Sequence, residues 1–154
     1  MTQPRTETSG HCKAFIFSQQ ILVWVCNMVD HTIVHFDIPA EDVEKLKNFY
    51  SEVFGWRIYR DPGPVEYWMI ETVPVDENGT PVRPGVNGGM YKKDQPNLKP
   101  VNYILVEDID ESIQKIKNLG GTITQPKQQV PGIAWIAQAI DPEGNPFAIM
   151  QSMR

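Results

Sequence analysis

Cysteine is almost missing from this chain: 154 residues contain two, Cys12 and Cys26. They lack CxxC spacing, which argues against a zinc ribbon or a thioredoxin-like redox pair. Everything after Cys26 has to hold together without disulfides, which fits a cytoplasmic protein. Long apolar runs are missing as well. Residues 14–26 (AFIFSQQILVWVC) form an apolar run of 13, interrupted by Gln19 and Gln20. A membrane-spanning helix needs about 20, so no membrane association is expected. Nor is positive charge concentrated anywhere. The net charge is −5, and the lysine pairs Lys45/Lys47, Lys92/Lys93 and Lys115/Lys117 sit in segments that read as solvated helix or turn, so no nucleic-acid partner is expected. The GxSxG, GxxxxGK[ST] and GxGxxG patterns are all absent. Nucleophile-elbow hydrolases, phosphate-loop enzymes and dinucleotide-binding folds are excluded on that ground.

What remains is a globular composition, 41% hydrophobic and 21% charged, long enough for one ordinary domain with a core. Residues 1–27 do not join the pattern that follows. They read as an N-terminal extension, either disordered or loosely docked, or as an upstream artefact of a start at Met28. Arg5 and Lys13 ahead of the apolar run leave a secretory signal as a third reading. Residues 28–154 read as a single domain.

Within that domain residues 32–38 (TIVHFDI) alternate as a strand that Pro39 ends. Residues 40–54 read as a helix with acidic residues in its first turn, Gly55 as its stop, and an apolar stripe of Val43, Leu46, Phe49, Tyr50, Val53 and Phe54. Strands follow at 56–60, 65–73 and 87–91, the last carrying Gly88-Gly89 where something must approach the backbone closely. The order then repeats. Residues 100–107 form a strand, and 109–119 a helix capped by Asp108 or Asp110, with Ile109, Ile113, Ile116 and Leu119 on its apolar side. Strands follow at 122–125, 133–140 and 146–151. Two βαβββ units, at about 30–95 and 98–152, give an α+β fold of paired modules with mixed sheets. One face of each sheet carries a helix. The other must cup a shared space or meet a second subunit.

The stretches VHFDIPAEDVEKLKNFYSEVFGW, PGVNGGMYKK, VNYILVEDIDESIQKIKNLGG and DPEGNPFAIMQ resemble the vicinal oxygen chelate superfamily of glyoxalase I, bleomycin-resistance proteins and extradiol dioxygenases. Among its members the likeness is to the glyoxalase-related branch without an assigned reaction. The resemblance covers nearly all of residues 33–151. It implies paired modules, a cupped site and a homodimer. Metal-bearing members draw ligands from the first and last strand of each module. By that alignment His35 matches a ligand position, but Val101 takes the equivalent place in the second module. Ala148 stands where a glutamate is expected, and GVNGGMYKK supplies no donor. No cofactor is therefore expected, a divalent metal being the alternative. His31, His35 and Asp37 share strand parity, yet strand positions i and i+4 lie about 13 Å apart, too far for His31 and His35 to clasp one ion.

His35, Asp37, Trp68, Tyr103 and Trp135 are the expected ligand-binding residues, and His35 with Glu71 the candidate acid–base pair. For each tryptophan, ordinary sheet packing is the competing reading. Three functions stay open: a metal-free small-molecule-binding protein, a lyase, isomerase or dioxygenase-type enzyme with an atypical or absent metal site, or an assembly module whose cup is filled by its own side chains.

Overall fold

The computed structural model describes residues 29–153 and, before them, the backbone of residues 12–17 and 21–26. The chain divides into Met1–Asp30 and His31–Arg154. In the first unit β1 (Cys12–Phe17) and β2 (Ile21–Cys26) pair antiparallel, with Cys12 opposite Cys26. The described part of the expected disordered extension is thus a strand pair. Met28, the expected start, lies outside the described residues.

The second unit contains β3 (Ile33–Ala40), α1 (Val43–Phe54), β4 (Arg57–Arg60), β5 (Tyr67–Glu71) and β6 (Gly88–Lys92). There follow β7 (Val101–Leu105), α2 (Ile109–Asn118), β8 (Thr122–Val130), β9 (Ala134–Ile140) and β10 (Pro146–Ser152). Its eight strands make one mixed sheet in the order β4-β5-β6-β3-β7-β10-β9-β8. In each βαβββ module the first strand lies parallel to the last, β3 to β6 and β7 to β10, and the remaining pairs are antiparallel. The antiparallel β3–β7 pair, with Asp37 opposite Val101, is the seam between modules.

Local chemistry sets the element ends. Asp42 caps α1 by accepting from the Lys45 amide, and Gly55 closes it at φ 71°. Asp108, of the two candidates, caps α2 through the Glu111 amide. Two strands outrun their expected ends. β3 continues through Pro39, because its pairing with β7 stops at Asp37 and the missing N–H falls where β3 has a single neighbour. β8 runs on to Val130 as an edge strand whose register shifts around Gln125 and Pro126.

Residues paired in register share a face of the sheet, so one set of side chains meets both helices. Phe36, Ile38, Trp68, Ile70 and Met90 pack with Val43, Leu46 and Tyr50 of α1. Ile123, Trp135, Ala137, Phe147 and Ile149 pack with Ile109, Ile113 and Ile116 of α2. The helices use less apolar surface than the periodicity offered. Phe49, Val53 and Phe54 stay more than half exposed, and Leu119 is 78% exposed. The opposite face of the sheet carries no helix among the described residues. It is the face expected from the sequence to form the cup, and takes that name.

Asn87 ties the open end of the β5–β6 pair. Its Oδ1 accepts from the Thr72 and Val73 amides and the Thr72 hydroxyl, and its Nδ2 donates to the Val73 carbonyl. One side chain thereby continues the ladder past the last strand pair. Asn87→Ala should lower unfolding free energy by about 1–3 kcal/mol, since the abandoned amides are partly shielded from water. Urea denaturation checks this, and an unchanged midpoint would refute it.

Candidate functional site

The polar centre of the cup is a carboxylate. Asp37 is 9% exposed, and a charge removed from water needs partners. The Tyr67 hydroxyl donates to its Oδ1 at 2.6 Å, and the Tyr103 hydroxyl donates to its Oδ2 at 2.8 Å. His35 Nε2 stands 3.3 Å from Oδ1 and 2.8 Å from the Tyr67 oxygen. Tyr67 has one proton and gives it to Asp37, so the His35 nitrogen must be the donor to Tyr67. His35 also meets the Tyr103 ring edge-on at 5.4 Å.

The charges follow from this wiring. Burial pushes the Asp37 carboxyl up. The hydrogen bonds from His35, Tyr67 and Tyr103, with the His35 charge, outweigh burial and hold it below its ordinary value. The two tyrosines move the other way. Burial first, then the Asp37 charge, raises both hydroxyls far above the usual phenol value, so each remains a donor. Gln138 of β9 also faces the Tyr103 hydroxyl.

Tyr67 reaches Asp37 by lying across β6. A Cβ at Gly89 would overlap its hydroxyl and ring, and one at Gly88 would overlap the Phe36 carbonyl and ring. The paired glycines are the close approach expected from the sequence, and the groups approaching are now identified.

Of the chain's five tyrosines, Tyr59, Tyr67, Tyr91 and Tyr103 share the cup face with His35 and Asp37. Two expected lining residues do not. Trp68 is opposite Met90 in register and packs toward α1. Trp135 packs toward α2, with the Lys127 ammonium over its ring. Both large apolar rings find more cover beneath a helix than on the open face. Glu71 does lie on the cup face, but in a separate group. Arg57 donates to it at 3.1 Å and Tyr59 at 2.7 Å. Tyr67 and Glu71 are i and i+4 on one strand, about 13 Å apart, so Glu71 does not join His35 as an acid–base pair. His31 is exposed and precedes β3. Sequence reasoning missed Tyr67, Tyr59, Arg57 and Gln138.

These residues do not fit a divalent ion. Val101 and Ala148 have no donor atoms, and both Asp37 oxygens and His35 Nε2 are already engaged. Among the described residues no three His, Cys, Asp or Glu side chains converge. An ion would need several such ligands.

Known proteins resemble this one in sequence and in shape. Residues 32–73 match the family described as bleomycin resistance protein-like N-terminal. The anthracycline biosynthesis protein DnrV of Streptomyces peucetius is 26% identical over 123 residues, covering 74% of this chain and 44% of that protein. The chain therefore spans less than half the length of that relative. A Streptomyces coelicolor methylmalonyl-CoA epimerase, solved with 2-nitronate-propionyl-CoA, superimposes with TM-score 0.57 at 13% identity, over 79% of this chain and 97% of that one. A glyoxalase/bleomycin resistance protein/dioxygenase superfamily member from Vibrio splendidus gives 0.54 at 15%, over 79% and 98%. The two structures share the fold. No helix among the described residues is long and apolar enough to cross a membrane.

Two outcomes test the geometry. Gly89→Ala should cost about 1–3 kcal/mol and much less in a Tyr67→Ala background, where the overlap is gone. Equal cost in both backgrounds, by chemical denaturation, would sink the assignment. The lowered Asp37 pKa implies stability that is present above its unfolded value of 3.8 and lost as pH falls through the lower folded value. Asp37→Asn should be less stable than the parent at neutral pH and should lose less stability on acidification below that value. Parallel stability–pH curves for the two proteins would contradict this.

Proposed function

Because the chain belongs to the vicinal oxygen chelate superfamily, we propose that it binds an organic small molecule in the helix-free cup, around a hydrogen-bonded polar centre in place of a chelated metal. The observation that carries this reading is the saturation of Asp37: two tyrosine hydroxyls and an imidazole take up the carboxylate beside the matched ligand position, His35. The centre is satisfied from within the chain, while the His35 side chain remains 26% exposed. A rigid polar group on an otherwise largely apolar and aromatic face is the usual make-up of a small-molecule site.

The fold neighbour solved with a CoA ester analogue supports the class of occupant only. The runner-up reading is a metal-independent isomerase or lyase. One observation favours it: His35 and Asp37 are 3.3 Å apart, close enough for the carboxylate to orient and polarise the imidazole. Glu71 has no part in that reading, because Arg57 and Tyr59 hold it elsewhere.

Elemental analysis of untagged protein purified without chelators is the test, repeated on His35→Ala. The expected result is far less than one divalent metal per chain in both. Stoichiometric metal that disappears in His35→Ala would overturn the reading and return the protein to the chelating members of the superfamily.

A further inference from the structure

His35 has two ring nitrogens, and the wiring around Asp37 uses one. Nε2 carries the proton it donates to Tyr67, so in the neutral ring Nδ1 is a bare acceptor. Among the described residues no hydrogen bond reaches Nδ1, and it is not among atoms sealed from solvent. It opens to the cup from a ring that Asp37, Tyr67 and the edge-on Tyr103 hold in place. An acceptor fixed in orientation, beside surfaces of tyrosine ring, is a seat for a donor on a flat ligand.

Charge narrows the ligand. The nearest full charge to His35 is the buried Asp37 carboxylate. Arg57, on the same face, is already paired with Glu71. With the ring neutral, a carboxylate or phosphate placed at His35 would meet the Asp37 charge, while the Arg57 cation on that face is committed to Glu71. A neutral hydroxyl would meet only an acceptor. We propose that His35 Nδ1 accepts a hydrogen bond from the hydroxyl of an uncharged phenol-like compound, whose ring lies against the half-buried Tyr67 and Tyr91. The hydroxyl donates, Nδ1 accepts, and the Nε2 proton stays with Tyr67. No bond is broken. This rests on the cup being the binding site, as proposed above.

The probe pair is 2-naphthol and 2-methoxynaphthalene, which share the ring system while the second lacks the donor. Binding to the full chain near neutral pH is followed by naphthalene fluorescence, with the cup tyrosine resonances monitored by NMR. The expected result is that 2-naphthol binds roughly tenfold more tightly, the worth of one good hydrogen bond, and that His35→Ala removes the difference without removing binding. Should that variant fail to fold, ring-labelled histidine in the parent decides. His35 should show the Nε2–H tautomer, with its Nδ1 resonance moved by 2-naphthol and not by the ether. Equal affinity for both probes, or an Nδ1 that carries the proton, would overturn the inference and leave the cup reading standing. Binding of neither probe, with no cup resonance moved, would overturn both.

Discussion

Placing a carboxylate at Asp37, with little access to water, commits much of the rest of the cup. A buried charge is tolerated only when hydrogen bonds replace its hydration, and removing one partner leaves a large uncompensated penalty. Tyr67 must cross β6 to arrive, which is possible because Gly89 has no side chain in its path. Tyr103 arrives from the second module, across the β3–β7 seam. His35 completes the set from the same strand. One charge therefore accounts for a glycine, two tyrosines and a histidine spread over four strands. It also binds the modules to each other through side chains as well as through the ladder.

That junction has a symmetry which explains its economy. The modules repeat the same strand order on either side of β3 and β7. The register sets His35 opposite Tyr103 and Asp37 opposite Val101. A twofold relation between modules makes His35 equivalent to Val101, and Asp37 equivalent to Tyr103. The Asp37–Tyr103 hydrogen bond is thus formed between equivalent positions that have diverged into a donor and an acceptor. Two aspartates there would repel each other, and two tyrosines would remove the charge that the other donors surround. The polar centre depends on the repeat having lost its sequence symmetry at this point.

Much of the fold was legible in the sequence because it rests on periodicity. Alternating strands, capped amphipathic helices and a repeat of order are local signals, and the second unit reproduces them with shifts of a few residues. Where boundaries moved, sheet position was responsible: Pro39 is tolerated where β3 has lost a neighbour, and β8 extends as an irregular edge. The site was less legible. His35, Asp37 and Tyr103 follow from strand parity and the seam. Trp68 and Glu71 were assigned to the cup together, although positions three apart on a strand face opposite ways. Parity alone would have replaced Trp68 by Tyr67. The clue to Trp135 was weaker, since β9 carries apolar residues on both faces, and only its pairing with β10 shows which side α2 covers. Nothing local marks Gly89 as the space for a ring that departs from another strand.

The wiring also changes the sign of the cup. A divalent cation at such a position attracts anionic oxygens and can stabilise charge that develops on a bound carbonyl. Here the strongest fixed charge is negative, and the surrounding hydroxyls and the Nε2 proton are already turned toward it. Those donors are unavailable to an incoming oxyanion without uncovering Asp37. Stabilising an enolate as a metal would is therefore a poor use of this geometry. Accepting a hydrogen bond at the exposed nitrogen is a natural one, because Asp37 and Tyr67 hold the ring in place while Tyr67 and Tyr103 keep the carboxylate satisfied. Little reorganisation is needed when a ligand arrives, since the partners that orient His35 are bound to one another beforehand. On the proposed reading, selectivity follows from electrostatics, with neutral hydrogen-bond donors preferred to anions beside Asp37.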